Sequence, residues 1–237
     1  MSEWLFHWLS VESGAVTMNY AINGVSELTA VSLAESNDPF ERADTMVDAY
    51  FSADVETDGP IPGTFSLLSF ALVYAGSFDG KKFRRPASYQ DAFYAELKPI
   101  SPHFQPEALE VNGLDRDALL KKGMSPEQAM SAADAWIRRV AGNARPVLVA
   151  YPVSFDWAWL YWYFVQFTKS GSPFGYSRCF DLKTALAVKS GIPISEAGRS
   201  RLPASLVSSR PHTHNALDDA IEQAEIFANV FEWGGIK

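Results

Sequence analysis

The chain has 237 residues, 47% of them hydrophobic and 20% charged, with a formal net charge of −8 and a pI near 5.0. This is enough apolar material for one large domain, or one domain with an extension. The acidic balance excludes a protein that coats nucleic acid through basicity alone, but not an enzyme whose acidic site holds cations against phosphates.

Cys179 is the only cysteine, so an intramolecular disulfide and a cysteine-based zinc site are both excluded. A buried structural thiol is the expected role. The longest apolar stretches, Phe65–Ala75 and Trp157–Phe167, fall short of the roughly 20 residues that span a bilayer, so no membrane partner is expected. The start, Met1-Ser2-Glu3, lacks the basic and apolar regions of a secretory signal, and a cytoplasmic location is the expectation.

Residues 1–45 read as an N-terminal extension without an assignable role, and residues 46–237 as the main domain. Trp4-Leu5-Phe6 with Trp8-Leu9 predicts an amphipathic helical turn or two. Asp48–Glu56 predicts a first strand and the continuous apolar run Phe65–Ala75 a second. Asp79-Gly80 is a hairpin signal, followed by the basic cluster Lys81-Lys82-Phe83-Arg84-Arg85, which reads as a solvated edge. Phe93–Leu97 predicts a third strand, and three strands so close together imply an antiparallel meander.

Ser125-Pro126-Glu127 opens a helix with a Ser cap and Pro at its first position, running to about Ala141. Pro146–Ala150, apolar on both faces, predicts a buried strand beside parallel neighbours. The aromatic helix Trp157–Phe167 follows; apolar nearly all round, it is expected in the core or at a homodimer contact. Arg178–Asp181 predicts a last short strand, Leu182–Lys189 a helix, Ser195–Arg210 a loop, and Asn215–Glu232 the closing helix. A meander followed by alternating strand and helix is an α/β fold: a mixed sheet with helices on both faces.

The chemistry gathers around Ala53-Asp54-Val55-Glu56-Thr57-Asp58-Gly59. Residues two apart on a strand share a face, so Asp54 and Glu56 lie side by side. Two such anions repel unless a cation sits between them, and hard divalent ions with oxygen ligands, Mg²⁺ or Mn²⁺, suit the gap. A solvated strand end is the plainer alternative for this pair alone. Asp156 falls just past a buried strand at the start of a helix, where α/β sheets gather ligands and where a capping residue would also stand. In His212-Thr213-His214-Asn215-Ala216-Leu217-Asp218-Asp219, a histidine precedes a helix that carries acids. Asp218 and Asp219 flank the apolar stripe of that helix equally, so periodicity does not choose between them.

Taken together, Asp54-x-Glu56-Thr57-x-Gly59, Phe155-Asp156 and His214-x-x-x-x-Asp219 resemble, in order and spacing, the DEDDh (DnaQ-like) 3′-5′ exonucleases of the ribonuclease H-like superfamily. The likeness covers roughly residues 48–233. It implies a ribonuclease H-like fold and hydrolysis of single-stranded DNA or RNA from the 3′ end with release of nucleoside 5′-monophosphates. It also implies two divalent ions held by Asp54, Glu56, Asp156 and Asp219, the family pattern choosing Asp219 over Asp218, and His214 as general base. By the same resemblance Thr57, Gly59 and Ile61 would meet the terminal nucleotide, and His212 would have no catalytic part. Arg199, Arg201 and Arg210 precede His214, and at least one of them, Arg210 foremost, is expected on substrate phosphate. Where many family members have His-Asn before the second motif, this chain has Tyr151-Pro152, so local support for Asp156 must differ. The alternative is a catalytically silent nucleic-acid-binding or docking module on the same fold.

Overall fold

The computed structural model describes residues 46–235 and, in the N-terminal segment, the backbone of three strands: β1 (Phe6–Glu12), β2 (Ala15–Ile22) and β3 (Val25–Glu27). The chain divides into two units, Met1–Thr45 and Met46–Lys237. In the first, β1–β2–β3 form an antiparallel sheet, so Phe6 to Leu9 lie on a strand and not on the expected helical turn; Trp4 and Leu5 lie outside the described residues. The register pairs Glu12 with Ala15 and Ile22 with Val25, and the sequence has Ser13-Gly14 and Asn23-Gly24 between these pairs. Asn-Gly at such a position is a strong hairpin signal, and it outweighs the apparent helical spacing of the aromatics.

The second unit is built on a sheet with the spatial order β6–β5–β4–β8–β9, in which β7 also pairs with β5. Its strands are β4 (Asp48–Thr57), β5 (Leu67–Phe78), β6 (Phe83–Arg84), β7 (Ala92–Glu96), β8 (Arg145–Ala150) and β9 (Cys179–Asp181). The β4, β5, β7 meander is antiparallel, while β8 runs parallel to β4 and β9 parallel to β8. A bulge on β5 accommodates Gly76, whose φ of 128° and approach to the Arg84 carbonyl (2.7 Å from an added Cβ) admit no side chain.

Two short helices, α1 (Pro106–Asn112) and α2 (Arg116–Lys122), were not predicted. At seven residues each they are too short for an apolar stripe to declare itself. Helix α3 (Pro126–Ala141) starts as its sequence dictates: Ser125 and Gln128 form a capping box and Pro126 opens the first turn. Then come α4 (Val153–Phe167), α5 (Leu182–Ser190), capped by Asp181, and α6 (Ala216–Glu232), capped by Asn215. The 195–210 stretch contains two 3₁₀ turns. No helix among the described residues is long and apolar enough to cross a membrane.

The period of two sorts each strand between two cores. Phe51, Ala53, Val55, Phe70, Leu72, Ala95 and Leu148 face α3 and α4 and meet Met130, Ile137, Trp159, Leu160, Tyr163 and Phe164. Tyr50, Ala71, Val73, Val147 and Val149 face α5 and α6. The aromatic helix α4 is thus a core element on its Trp159, Leu160, Tyr163 and Phe164 side, each fully buried side chain contributing about 1.5–3 kcal/mol. Cys179 is exposed, contrary to expectation. It lies on β9, the last and shortest strand on that side of the sheet, which pairs only with β8.

Candidate active site

Strand β4 outruns its parallel partner. Its pairing with β8 ends at Ser52 opposite Val149, whereas β4 continues to Thr57. The chain leaves β8 at the cis Tyr151–Pro152 peptide and enters α4. The overhang carries Asp54 and Glu56 into the opening between the diverging chains, the position where open α/β sheets bind ligands.

Four carboxylates converge there. Asp54, Glu56 and Asp219 each offer an oxygen within 4.8 Å of the others. Asp156, buried in the first turn of α4, joins them electrostatically, and its charge raises the proton affinity of both Asp54 and Glu56. Pro152 occupies the cap position of α4, so Asp156 is free of the capping role that its position suggested. Asp219 is 1% exposed and turns into the site, while Asp218 faces solvent.

The electrostatics are those of anions held together without sufficient counter-charge. Burial, then the charges of Asp156, Glu56 and Asp219, push the Asp54 carboxyl well above its ordinary range, with only the Arg199 guanidinium opposing. Burial, followed by Asp219 and Asp156, pushes Glu56 up to about 8. Burial pushes Asp156 up to about 7, against its own backbone N–H, the Arg199 charge and the Val55 N–H. A cluster of this kind holds protons at neutral pH or binds a cation in their place.

The His212–His214 loop is fastened to the same cluster. Asp219 Oδ1 accepts from the Thr213 N–H at 2.7 Å and Asp219 Oδ2 from the His214 N–H at 2.8 Å. His214 has a φ of 58°, a left-handed conformation that a non-glycine residue adopts at a cost, and these two bonds hold it there. The imidazole of His214 is exposed beside the carboxylates, and His212, His214 and Asp219 form a second group with mutually close ligand atoms. His212, for which no catalytic part was expected, has Nδ1 3.1 Å from Asp219 Oδ2, and its ring meets His214 edge-on with centroids 4.8 Å apart.

Other residues support the site from around it. Gln223, buried on α6, donates through Nε2 to Ser52 Oγ at 3.0 Å and to the Ala53 carbonyl at 2.8 Å, fixing α6 to β4 one residue before Asp54. Its Oε1 accepts from Arg199, whose guanidinium also pairs with Glu222 and lies 5.2 Å over the Tyr151 ring. Asp181, besides capping α5, accepts from the Val153 N–H at 3.0 Å and so steadies the start of α4. That bond comes from the neighbouring strand β9, and Pro152 itself supplies no side-chain hydrogen bond. Below the site, the buried Asp58 accepts from Arg116 Nε at 2.9 Å, and Asn112 Nδ2 donates to the Thr57 carbonyl at 3.0 Å.

The proposed substrate contacts are scattered. Thr57 is buried, its hydroxyl donating to the Gly59 carbonyl at 2.8 Å. A Cβ on Gly59 would lie 2.2 Å from the Phe65 ring, so glycine is required there by packing. Ile61 is 54% exposed on the turn that follows. Arg201 pairs with Glu196, and Arg210 with Glu225 at 3.1 Å, six residues along α6 from Asp219. All three loop arginines therefore have carboxylate partners within the chain.

The comparisons with known proteins agree with this geometry. No protein-family model matches the chain. In fold it resembles nucleases: cell-death related nuclease 4 superposes with a TM-score of 0.57 at 13% identity, covering 81% of this chain and 66% of that one. The nuclease domain of 3′hExo, a DEDDh family member, gives a TM-score of 0.57 at 11% identity, covering 80% of this chain and 94% of that one. In sequence the chain is 36% identical over 191 residues to the 3′-5′ DNA exonuclease Cap18 of Escherichia coli, an alignment that covers 77% of this chain and 91% of the relative. The chain belongs to the DEDDh, or DnaQ-like, exonuclease family of the ribonuclease H-like superfamily.

Proposed function

We propose that this protein is a metal-dependent 3′-5′ exonuclease that removes nucleoside 5′-monophosphates from the 3′ end of a single strand, DNA being the favoured substrate. The observation that carries the reading is the convergence of Asp54, Glu56, Asp156 and Asp219 with His214 beside them. The preference for DNA rests on the 36% identity to a relative named as a DNA exonuclease.

The donor set suits hard divalent cations: oxygen ligands only, raised proton affinities, and Arg199 as the one internal cation acting on Asp54. Asp54, Glu56, Asp156 and Asp219 would hold two Mg²⁺ or Mn²⁺ ions, which supply positive charge against the phosphate and lower the proton affinity of the attacking water. His214 takes the proton from that water, an imidazole being suited to proton transfer near neutral pH. A bond forms from the water oxygen to phosphorus, and the bond from phosphorus to the 3′-oxygen of the preceding nucleotide breaks. Asp219 keeps His214 in position through the two loop amides. The turn at Thr57–Ile61, which follows Glu56 directly in the chain, would meet the terminal nucleotide.

The test is digestion of matched 5′-labelled DNA and RNA oligonucleotides with Mg²⁺, Mn²⁺ or EDTA. A ladder shortening from the 3′ end is expected with metal, absent with EDTA, reduced on the order of 10³-fold by Asp54→Ala, and strongly slowed by His214→Ala. Metal-independent binding without cleavage of either strand would replace this reading with a silent binding module.

A further inference from the structure

The register of the meander sets a second row of side chains beside the carboxylates. Asp54 on β4 pairs with Ala71 on β5, and Ala71 with Tyr94 on β7; likewise Glu56 pairs with Ser69, and Ser69 with Glu96. Directly opposed residues in an antiparallel sheet project from the same face. Tyr94 and Glu96 therefore share the face of Asp54 and Glu56, two strands away, or about 10 Å between backbones. Ala71 and Ser69, both small and buried, lie between them.

Tyr94 is 36% exposed and belongs to neither hydrophobic core. Its ring is nevertheless fixed. The hydroxyl donates to Glu96 Oε1 at 2.9 Å and lies within reach of the Ser69 side chain. The charge of Glu56 is felt at the phenol, which burial and Glu96 together with Glu56 push up to about 12. An aromatic ring held by its tip, 36% exposed and beside an acidic site, can receive a flat apolar group. The exposed Glu96 carboxylate decides which part of a strand can come here: it repels phosphodiester oxygens and leaves the base as the part that fits.

We infer that Tyr94, held by Glu96, is a base-stacking residue that receives a nucleobase within one nucleotide of the cleaved bond and so contributes to substrate selection. This rests on the exonuclease reading of the neighbouring carboxylates. Base stacking tolerates any sequence, so the contact favours a base over an abasic sugar and does not choose among the four bases.

The test combines two readouts. Oligonucleotides carrying 2-aminopurine at the last or second-last position are bound in EDTA and followed by fluorescence. Wild type and Tyr94→Phe are expected to quench one of the two positions, and Tyr94→Ala to lose that quenching. In steady-state cleavage with Mg²⁺, Tyr94→Ala is expected to raise KM on the order of 10-fold, with kcat changed far less. On an oligonucleotide abasic at the quenched position, wild type and Tyr94→Ala are expected to become equal. An equal Tyr94→Ala defect on intact and abasic strands, or quenching that survives in Tyr94→Ala, would overturn the inference while leaving the exonuclease reading standing. A wild-type protein that neither binds nor cleaves any strand would remove both.

Discussion

Two rows of side chains lie back to back across the meander, one residue apart in sequence. Val55, Phe70 and Ala95 point towards α3 and α4 and are all but sealed from water; Asp54, Ala71 and Tyr94 point the other way, towards the carboxylate site. The first row is held by apolar burial that needs nothing from solvent. The second gathers charge that its surroundings do not neutralise. The sheet thus carries stability on one face and chemistry on the other, and the pleat alone separates them. The contrast is that between a region that serves stability and one whose stability is given up for function.

Substitutions on the two faces should act with opposite sign. Phe70→Ala, from a fully buried position, is expected to cost about 3–5 kcal/mol in urea unfolding, through lost burial and the cavity left behind. A smaller loss would mean that the α3–α4 face repacks easily and that the contrast is overstated. Gln223→Ala should cost about 2 kcal/mol by the same measurement, because it leaves the Ala53 carbonyl without its side-chain donor at the seam between the two regions. Asp54→Asn should instead stabilise the metal-free protein at pH 8, raising Tm by about 2–6 °C while abolishing cleavage. An unchanged or lower Tm would show that the carboxylates are not in conflict.

The pH dependence sharpens the same point. Glu56, at about 8, and Asp156, at about 7, bind protons more tightly in the folded chain than their ordinary values of 4.5 and 3.8 allow. The folded state then carries more protons than the unfolded one between about pH 4 and pH 8, so stability in EDTA should fall as pH rises through that window. Added Mg²⁺ should recover more Tm at pH 8 than at pH 5. A flat profile in EDTA would remove the electrostatic half of the comparison.

What the sequence shows in advance is what neighbouring residues determine. The β4 strand, the Ser125 cap of α3, the closing helix and the spacing of the three acidic motifs are local patterns, and the folded chain has each element within a few residues of its expected limits. The choice between Asp218 and Asp219 was not local. Wheel angles left them equal, and the side of α6 on which the β4 overhang lies sets Asp219 inward. The partners of the arginines are not local either: Arg199 finds Glu222 and Arg210 finds Glu225 only when the loop folds back along α6, contacts that span 23 and 15 residues. The approach of His212 to Asp219 depends on the path of the loop, which no local pattern reports. The N-terminal strands had a legible signal in Asn23-Gly24, but the aromatics of residues 4–9 suggested a helix.

Asp219 has a consequence beyond its charge. The oxygens available to a cation are the same ones that accept the Thr213 and His214 amides. An ion that takes a lone pair from Asp219 therefore changes the strength with which the loop is held, and by thermodynamic reciprocity the order of the loop sets the affinity for the ion. Cation occupancy would be written into the backbone five and six residues away, and hydrogen exchange at those two amides would read it without any substrate present.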